Sequence, residues 1–113
     1  MDTIRQQKTA RLIQKELAEI FLHEGKNFFG NSMITVTVVR ISPDLSIARV
    51  YLSLFAVKDK ESLLKTIKIY TSEIRKLLGM RIGKQVRIIP ELNFYLDDSL
   101  DYAEKIDKAL KNK

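Results

Sequence analysis

Residues 47–78 read IARVYLSLFAVKDKESLLKTIKIYTSEIRKLL, and the hydrophobic period changes once inside this stretch. From Ile47 to Phe55 the period is two. Ala48, Val50, Leu52 and Leu54 point one way and Arg49, Tyr51, Ser53 and Phe55 the other, as in a strand with one buried face. From Lys60 to Leu78 it lengthens. Leu63, Ile67, Tyr70, Ile74 and Leu77 recur every three or four residues, the stripe of a core-facing helix. At about 100° per residue, Lys65, Lys68, Ser72, Arg75 and Lys76 fall on the opposite face. A core-facing helix must expose something polar, but it need not expose mostly cations.

Upstream, Met33 to Ile41 is rich in β-branched residues and predicts a first strand. Ser42-Pro43-Asp44-Leu45 has the chemistry of a type I turn, with Asp44 in a local side-chain turn. A first helix is predicted from Thr3 to His23, with Thr3 as N-cap and Gly25 as stop. Ile13, Leu17, Ile20 and Phe21 form its stripe, and Lys8, Arg11 and Lys15 lie roughly opposite. Lys26 to Ser32 reads as a loop holding Phe28, Phe29 and Gly30.

Downstream, the second helix continues brokenly to Ile82. Val86 to Leu96 alternates again and predicts a third strand, in which Pro90 demands an edge position or a bulge. Asp97-Asp98-Ser99 caps a last helix over Leu100 to Lys111. The order is α-β-β-α-β-α. Three alternating strands make a small mixed sheet with helices on one face, and β-α-β closure defaults to a right-handed crossover.

Composition restricts the role. The chain has 113 residues, 45% of them hydrophobic, which suits a single domain spanning residues 1–113. No cysteine is present, which rules out a disulfide scaffold, cysteine zinc sites and thiol catalysis, and fits a cytoplasmic protein. No apolar run approaches the roughly 20 residues that span a bilayer, and the first residues form no signal-peptide core. Twenty basic against fourteen acidic residues leave a net charge of +6, suited to RNA, DNA or an anionic membrane surface.

Catalytic constellations are weak. His23 is the single histidine and is read as a solvated or capping residue. Asp97 and Asp98 lack calcium-loop spacing and are read as helix caps. A small hydrolase assembled from Asp44, Asp97 and His23 has no recognised spacing behind it. Gly79-Met80-Arg81-Ile82-Gly83-Lys84 is either a phosphate-approaching segment or a helix C-cap followed by a turn. Of Phe28 and Phe29, either one is exposed for base stacking or both pack under the loop. The open sheet face, carrying Arg49, Tyr51, Arg87, Asn93 and Tyr95, suits RNA or a merely solvated sheet. Two basic helix faces in one small basic domain favour nucleic acid.

Several segments are similar to bacterial ribosome-binding factor A. They are Gln14-Lys15-Glu16-Leu17, Thr35-Val36-Thr37, Ser42-Pro43-Asp44-Leu45-Ser46 with Ala48-Arg49-Val50-Tyr51, Ile74-Arg75-Lys76-Leu77-Leu78, and Arg87-Ile88-Ile89-Pro90-Glu91-Leu92-Asn93-Phe94 leading to Asp97-Asp98-Ser99-Leu100. The resemblance runs over nearly the whole chain. It implies a type II KH-like domain that binds the small ribosomal subunit and assists late maturation of its RNA, including 5′-end processing of the 16S precursor. It also implies a cytoplasmic factor without catalysis or cofactor, associated with growth in the cold. Two positions depart from the family pattern. Its Ala-x-Gly helix kink falls on Tyr70-Thr71-Ser72, so the second helix is expected to run straighter unless Ser72 interrupts it. Its Asp-Pro-Arg-like loop is Asn27-Phe28-Phe29-Gly30 here.

The expected function is therefore binding of small-subunit RNA by a monomer, with no small-molecule substrate, metal or membrane. Lys65, Lys68, Arg75 and Lys76 would neutralise phosphates and Ser72 would add a hydrogen bond. Lys8, Arg11 and Lys15 would extend the surface, and Arg81 and Lys84 would close one end. Lys68 and Arg75 are both expected to be solvated. The alternative is a protein-docking module whose basic face meets an acidic partner.

Overall fold

A computed structural model of the protein describes residues 3–30, 33–55 and 57–97. The first helix, α1 (Ile4–Phe29), opens with a reciprocal capping box: Gln6 N–H donates to the Thr3 hydroxyl, and Thr3 N–H to the Gln6 side chain. It does not stop at Gly25, which is buried within it, and residues 26–29, expected in a loop, form its last turn. A mid-helix glycine costs about 1 kcal/mol relative to alanine. The rings beyond it offset this, because Phe29 lies 6.0 Å from Phe21 and 5.8 Å from Tyr70, and Phe28 lies 4.9 Å from Tyr70. Gly30, at φ 70°, ends the helix in a conformation that favours glycine.

The strands β1 (Met33–Ile41) and β2 (Ile47–Phe55) have the predicted bounds and pair antiparallel. Their turn closes by a 2.9 Å bond from Leu45 N–H to the Ser42 carbonyl. Asp44 accepts from Ser42 Oγ, Ser46 Oγ and Ser46 N–H, and these bonds hold its carboxyl at about 2, below the ordinary value of 3.8.

A bulge interrupts β1. Val36 faces Leu52 and Val38 faces Tyr51, which leaves Thr37 unpaired. The extra residue inverts the alternation. Val36 is core before it, and Val39 and Ile41 are core after it, while Arg40 turns to solvent. Without the bulge, Arg40 would share the core face with Val36. Gln14 Nε2 reaches the freed carbonyls of Val36 (3.2 Å) and Thr37 (3.1 Å), and buried Gln6 reaches that of Ile41 (2.9 Å). Two glutamines thus strap α1 to backbone carbonyls of this strand.

The expected single second helix is two: α2 (Lys60–Ile69) and α3 (Thr71–Ile82), divided at Tyr70 (φ −90°, ψ 12°). No glycine is needed there, since this bridge conformation is open to any residue. The Tyr70 ring is held between the α1 aromatics. The two departures from the family pattern are therefore in contact: the aromatics ending α1 seat the tyrosine that divides the helices.

The last described strand, β3 (Glu91–Leu96), is shorter than predicted and pairs parallel to β2 at the sheet edge, in the order β1-β2-β3. It cannot begin at Val86, because its partner begins at Ile47, which faces Glu91. Pro90, which has no N–H to give, stands just ahead of the ladder and is buried. Ile13, Leu17, Val50, Leu52, Ile67, Ile74, Leu78 and Phe94 centre the core between helices and sheet. The predicted last helix, Leu100 to Lys111, lies outside the described residues, as do Asp98 and Ser99. Among the described residues no helix is long and apolar enough to cross a membrane.

Candidate nucleic-acid interface

On α2 the core side takes Leu63 and Ile67, which leaves Lys65 and Lys68 exposed. Asp59 caps the helix by accepting from Ser62 N–H at 3.1 Å. On α3 the core side takes Ile74, Leu78 and Ile82, which leaves Ser72 and Lys76 exposed. Lys65, Lys68 and Lys76 form no ion pair among the described residues. Between the two groups lies the break. Tyr70 gives α3 no side-chain cap, so no side chain at the cap position satisfies the first amides of α3, and the exposed Ser72 stands in this first turn. A helix N-terminus with free amides, lysines on both sides and a hydroxyl attracts anions. Glu73 in the same first turn works against this and limits the attraction to its far side.

The arginines are engaged elsewhere. Arg75 is not simply solvated: its Nε donates to the Pro90 carbonyl (3.1 Å) and a terminal nitrogen to that of Ile89 (2.6 Å). These acceptors have no strand partner, so Arg75 ties α3 to the approach to β3. Arg81 does not close an RNA surface with free charge. It bridges Glu16 (3.1 Å) and Glu19 (2.9 Å) on α1, and hydrogen bonding to Glu16 holds it further above its ordinary pKa. Lys84 is exposed beyond the helix.

Neither glycine of the Gly79–Gly83 stretch makes a phosphate cradle. Gly79 lies inside α3, with the Ile89 side chain 3.5 Å from where a Cβ would stand. Gly83 caps the helix, and a Cβ there would come within 2.6 Å of the Gly79 carbonyl.

Lys8, Arg11 and Lys15 are exposed along α1, as predicted from its stripe. Phe28 is half-buried against Tyr70 and Phe29 is buried, so both rings pack, but in the last turn of a helix and not under a loop. His23 is exposed within α1 and not at its end. Asp97 meets the Thr37 hydroxyl, and its N–H donates to the Leu52 carbonyl at 2.7 Å. Asp44 lies at the turn before Ile47, five residues away along β2, or about 16 Å. The hydrolase constellation does not assemble.

The open sheet face holds two rows set by strand register. Arg40, Arg49 and Asn93 form one, and Val38, Tyr51 and Tyr95 the other. Arg87 precedes the strand and belongs to neither. Arg40 was hidden in the sequence because simple alternation hides the bulge. The glutamine at 14 is its one foreshadowing, a polar residue facing inward on an amphipathic helix.

Comparison with known proteins follows the same lines. The family profile described as Ribosome-binding factor A matches residues 5–110. A protein of that name from Cytophaga hutchinsonii is 60% identical over 110 residues, covering 97% of this chain and 83% of its own. One from Flavobacterium psychrophilum is 45% identical, covering 100% and 88%. The crystal structure of ribosome-binding factor A from Thermus thermophilus superposes with a TM-score of 0.68 at 23% identity, over 80% of this chain and 94% of that one. Coordinates of the Thermus thermophilus factor fitted into a cryo-EM map of a 30S complex superpose with a TM-score of 0.62 at 26% identity, over 79% and 91%.

Proposed function

The chain belongs to the ribosome-binding factor A family, and we propose that it binds the RNA of the small ribosomal subunit through the surface around the α2–α3 break. The observation that carries this reading is the N-terminus of α3, without a side-chain cap and with Ser72 exposed, between Lys65 and Lys68 of α2 and Lys76, three lysines without an ion pair among the described residues. A relative fitted into the map of a 30S complex supports the choice of partner. Lys65, Lys68 and Lys76 neutralise phosphates, and the Ser72 hydroxyl and the α3 amides donate hydrogen bonds to one. Arg75 adds charge through the part of its fork not given to Ile89 and Pro90. Lys84 and the α1 row of Lys8, Arg11 and Lys15 extend the surface, while Arg81 contributes little because two carboxylates neutralise it.

The protein acts as a single-domain cytoplasmic monomer, by affinity and without chemistry. It assists late maturation of the subunit and 5′-end processing of its RNA precursor by holding RNA in a form other factors can use. Shape sets most of the specificity, as is usual for structured RNA.

Binding to purified small subunits, followed by sedimentation across a salt series, tests the reading. Neutralising about five phosphates makes log K fall steeply with log salt. A binding constant nearly flat from low to physiological salt would sink it. Retention of full binding after RNase treatment would point instead to an acidic protein partner.

A further inference from the structure

We propose that the open face of the sheet is a second binding site, for single-stranded RNA, on the side of the protein away from α2 and α3. The site is built by strand register. Arg40 stands directly opposite Arg49, with Asn93 beside Arg49. One row along, Tyr51 stands opposite Tyr95, and their rings stack at 5.5 Å and 29°. Like charges placed directly across a strand pair destabilise it. Here the Arg40–Arg49 pair is uncompensated, since neither arginine forms an ion pair among the described residues. Glu91, one row away beside Ile47, faces the same side and does not bridge to them. The bulge at Thr37 is what delivers Arg40 to this face, so the backbone itself creates the repulsion.

The two arginines line a shallow cleft of about 290 Å³ with Pro43 and Ile47. Rows on one face of a strand repeat about every 7 Å, so the cations and the rings lie within one nucleotide's reach of each other. Tyr95 is 41% exposed and offers a π-face at the sheet edge. Phosphate on Arg40 and Arg49, a base stacked on Tyr95 and the Asn93 amide at a base edge together use both the cations and the ring pair of the face. An acidic peptide would use the arginines alone and leave the ring pair without a role. Because the face lies across the sheet from the helices, the site stands whether or not the α2–α3 surface binds RNA. If both do, one molecule holds two RNA segments at once.

The test is a residue-resolved NMR titration of the full chain with single-stranded hexauridylate, repeated on Lys65→Glu/Lys68→Glu. Amide shifts at Arg40, Arg49, Tyr51, Asn93 and Tyr95 are expected in both proteins. Tyr95→Ser weakens binding about tenfold, the scale of one lost base–aromatic stack. Tyr95→Leu, which keeps the apolar bulk and removes the π-face, weakens it similarly and guards against loss of folding. Arg40→Glu should weaken binding at least tenfold while raising the melting temperature, since it replaces a repulsion with a cross-strand ion pair. Shifts confined to α2 and α3, or unchanged affinity in Arg40→Glu, overturn the proposal. So do equal shifts with an oligoglutamate of matched charge, which would assign the face to an acidic protein. Contacts between residues 98–113 and the Tyr95 ring in the free protein would assign it to the chain's own end and overturn it as well.

Discussion

The helices α2 and α3 look alike in sequence and divide their cations differently in the fold. Two lysines of α2, Lys65 and Lys68, reach solvent without an acidic partner among the described residues. The arginines of α3 are ties: Arg75 to two carbonyls ahead of β3, and Arg81 to two carboxylates of α1. The guanidinium explains the division. Its planar fork offers several fixed donors that can satisfy two acceptors at once, whereas an ammonium is a point charge that keeps its water. A basic stripe is therefore a mixture of surface and scaffold, and residue type helps to sort it.

The joint between the helices should give the largest effect. Tyr70→Ala removes the ring seated on Phe28 and Phe29, and we expect a loss of about 2–4 kcal/mol in urea unfolding. Tyr70→Phe should stay within about 0.5 kcal/mol. Equal effects of the two would mean that the hydroxyl, not the ring, holds the break.

Arg75→Ala comes next, at about 1–2 kcal/mol of stability for two charged hydrogen bonds near solvent. Lys76→Ala, one residue on, should change stability by less than about 0.5 kcal/mol. Indistinguishable melting curves for the pair would erase the contrast. Lys65→Glu with Lys68→Glu tests the other half. Affinity for small subunits should drop about tenfold, or ~1.4 kcal/mol, with a shallower salt dependence and unaltered stability. Unfolding of that variant would mean that the α2 face is buried.

Arg81→Ala should cost less than about 1 kcal/mol, because the bridge to Glu16 and Glu19 is partly exposed, and should leave RNA affinity unchanged. A marked loss of affinity would move Arg81 back among the binding residues. The smallest effect is at Asp44, in neither helix, and it sets the pH window for the comparisons. Its folded pKa of about 2 lies below the ordinary 3.8, so the unfolded chain binds the extra proton. Its contribution is present above pH ~4 and is lost as pH falls through 2. Asp44→Asn should flatten that part of the stability profile; an unchanged acid limb would show that the turn bonds are not maintained in solution.

Much of the frame was legible in the residues. The bounds of β1 and β2 follow from their β-branched content and from the turn at Pro43, and the buried stripes of the helices from their spacing. Local signals misled where a distant partner outweighed them. Gly25 reads as a helix stop, yet Phe28 and Phe29 find Tyr70 and Phe21 and carry the helix past it. Val86 to Pro90 alternates like a strand, yet β2 offers no residue for it to pair with. Of the candidate site, the lysines were readable from helix phase alone. Arg75 and Arg81 were not, because their partners lie 14 to 65 residues away.

The order of elements, the core-facing side of each helix and the excess of positive charge were determined by the sequence itself, since period, turn chemistry and composition act through neighbouring residues. The tertiary structure alone decided where the second helix divides, which cations remain free, and on which side of the sheet Arg40 stands. Each of these depends on an acceptor, a ring or a bulge brought close by folding, and the free energy of such a contact belongs to the pair and is absent from either segment alone.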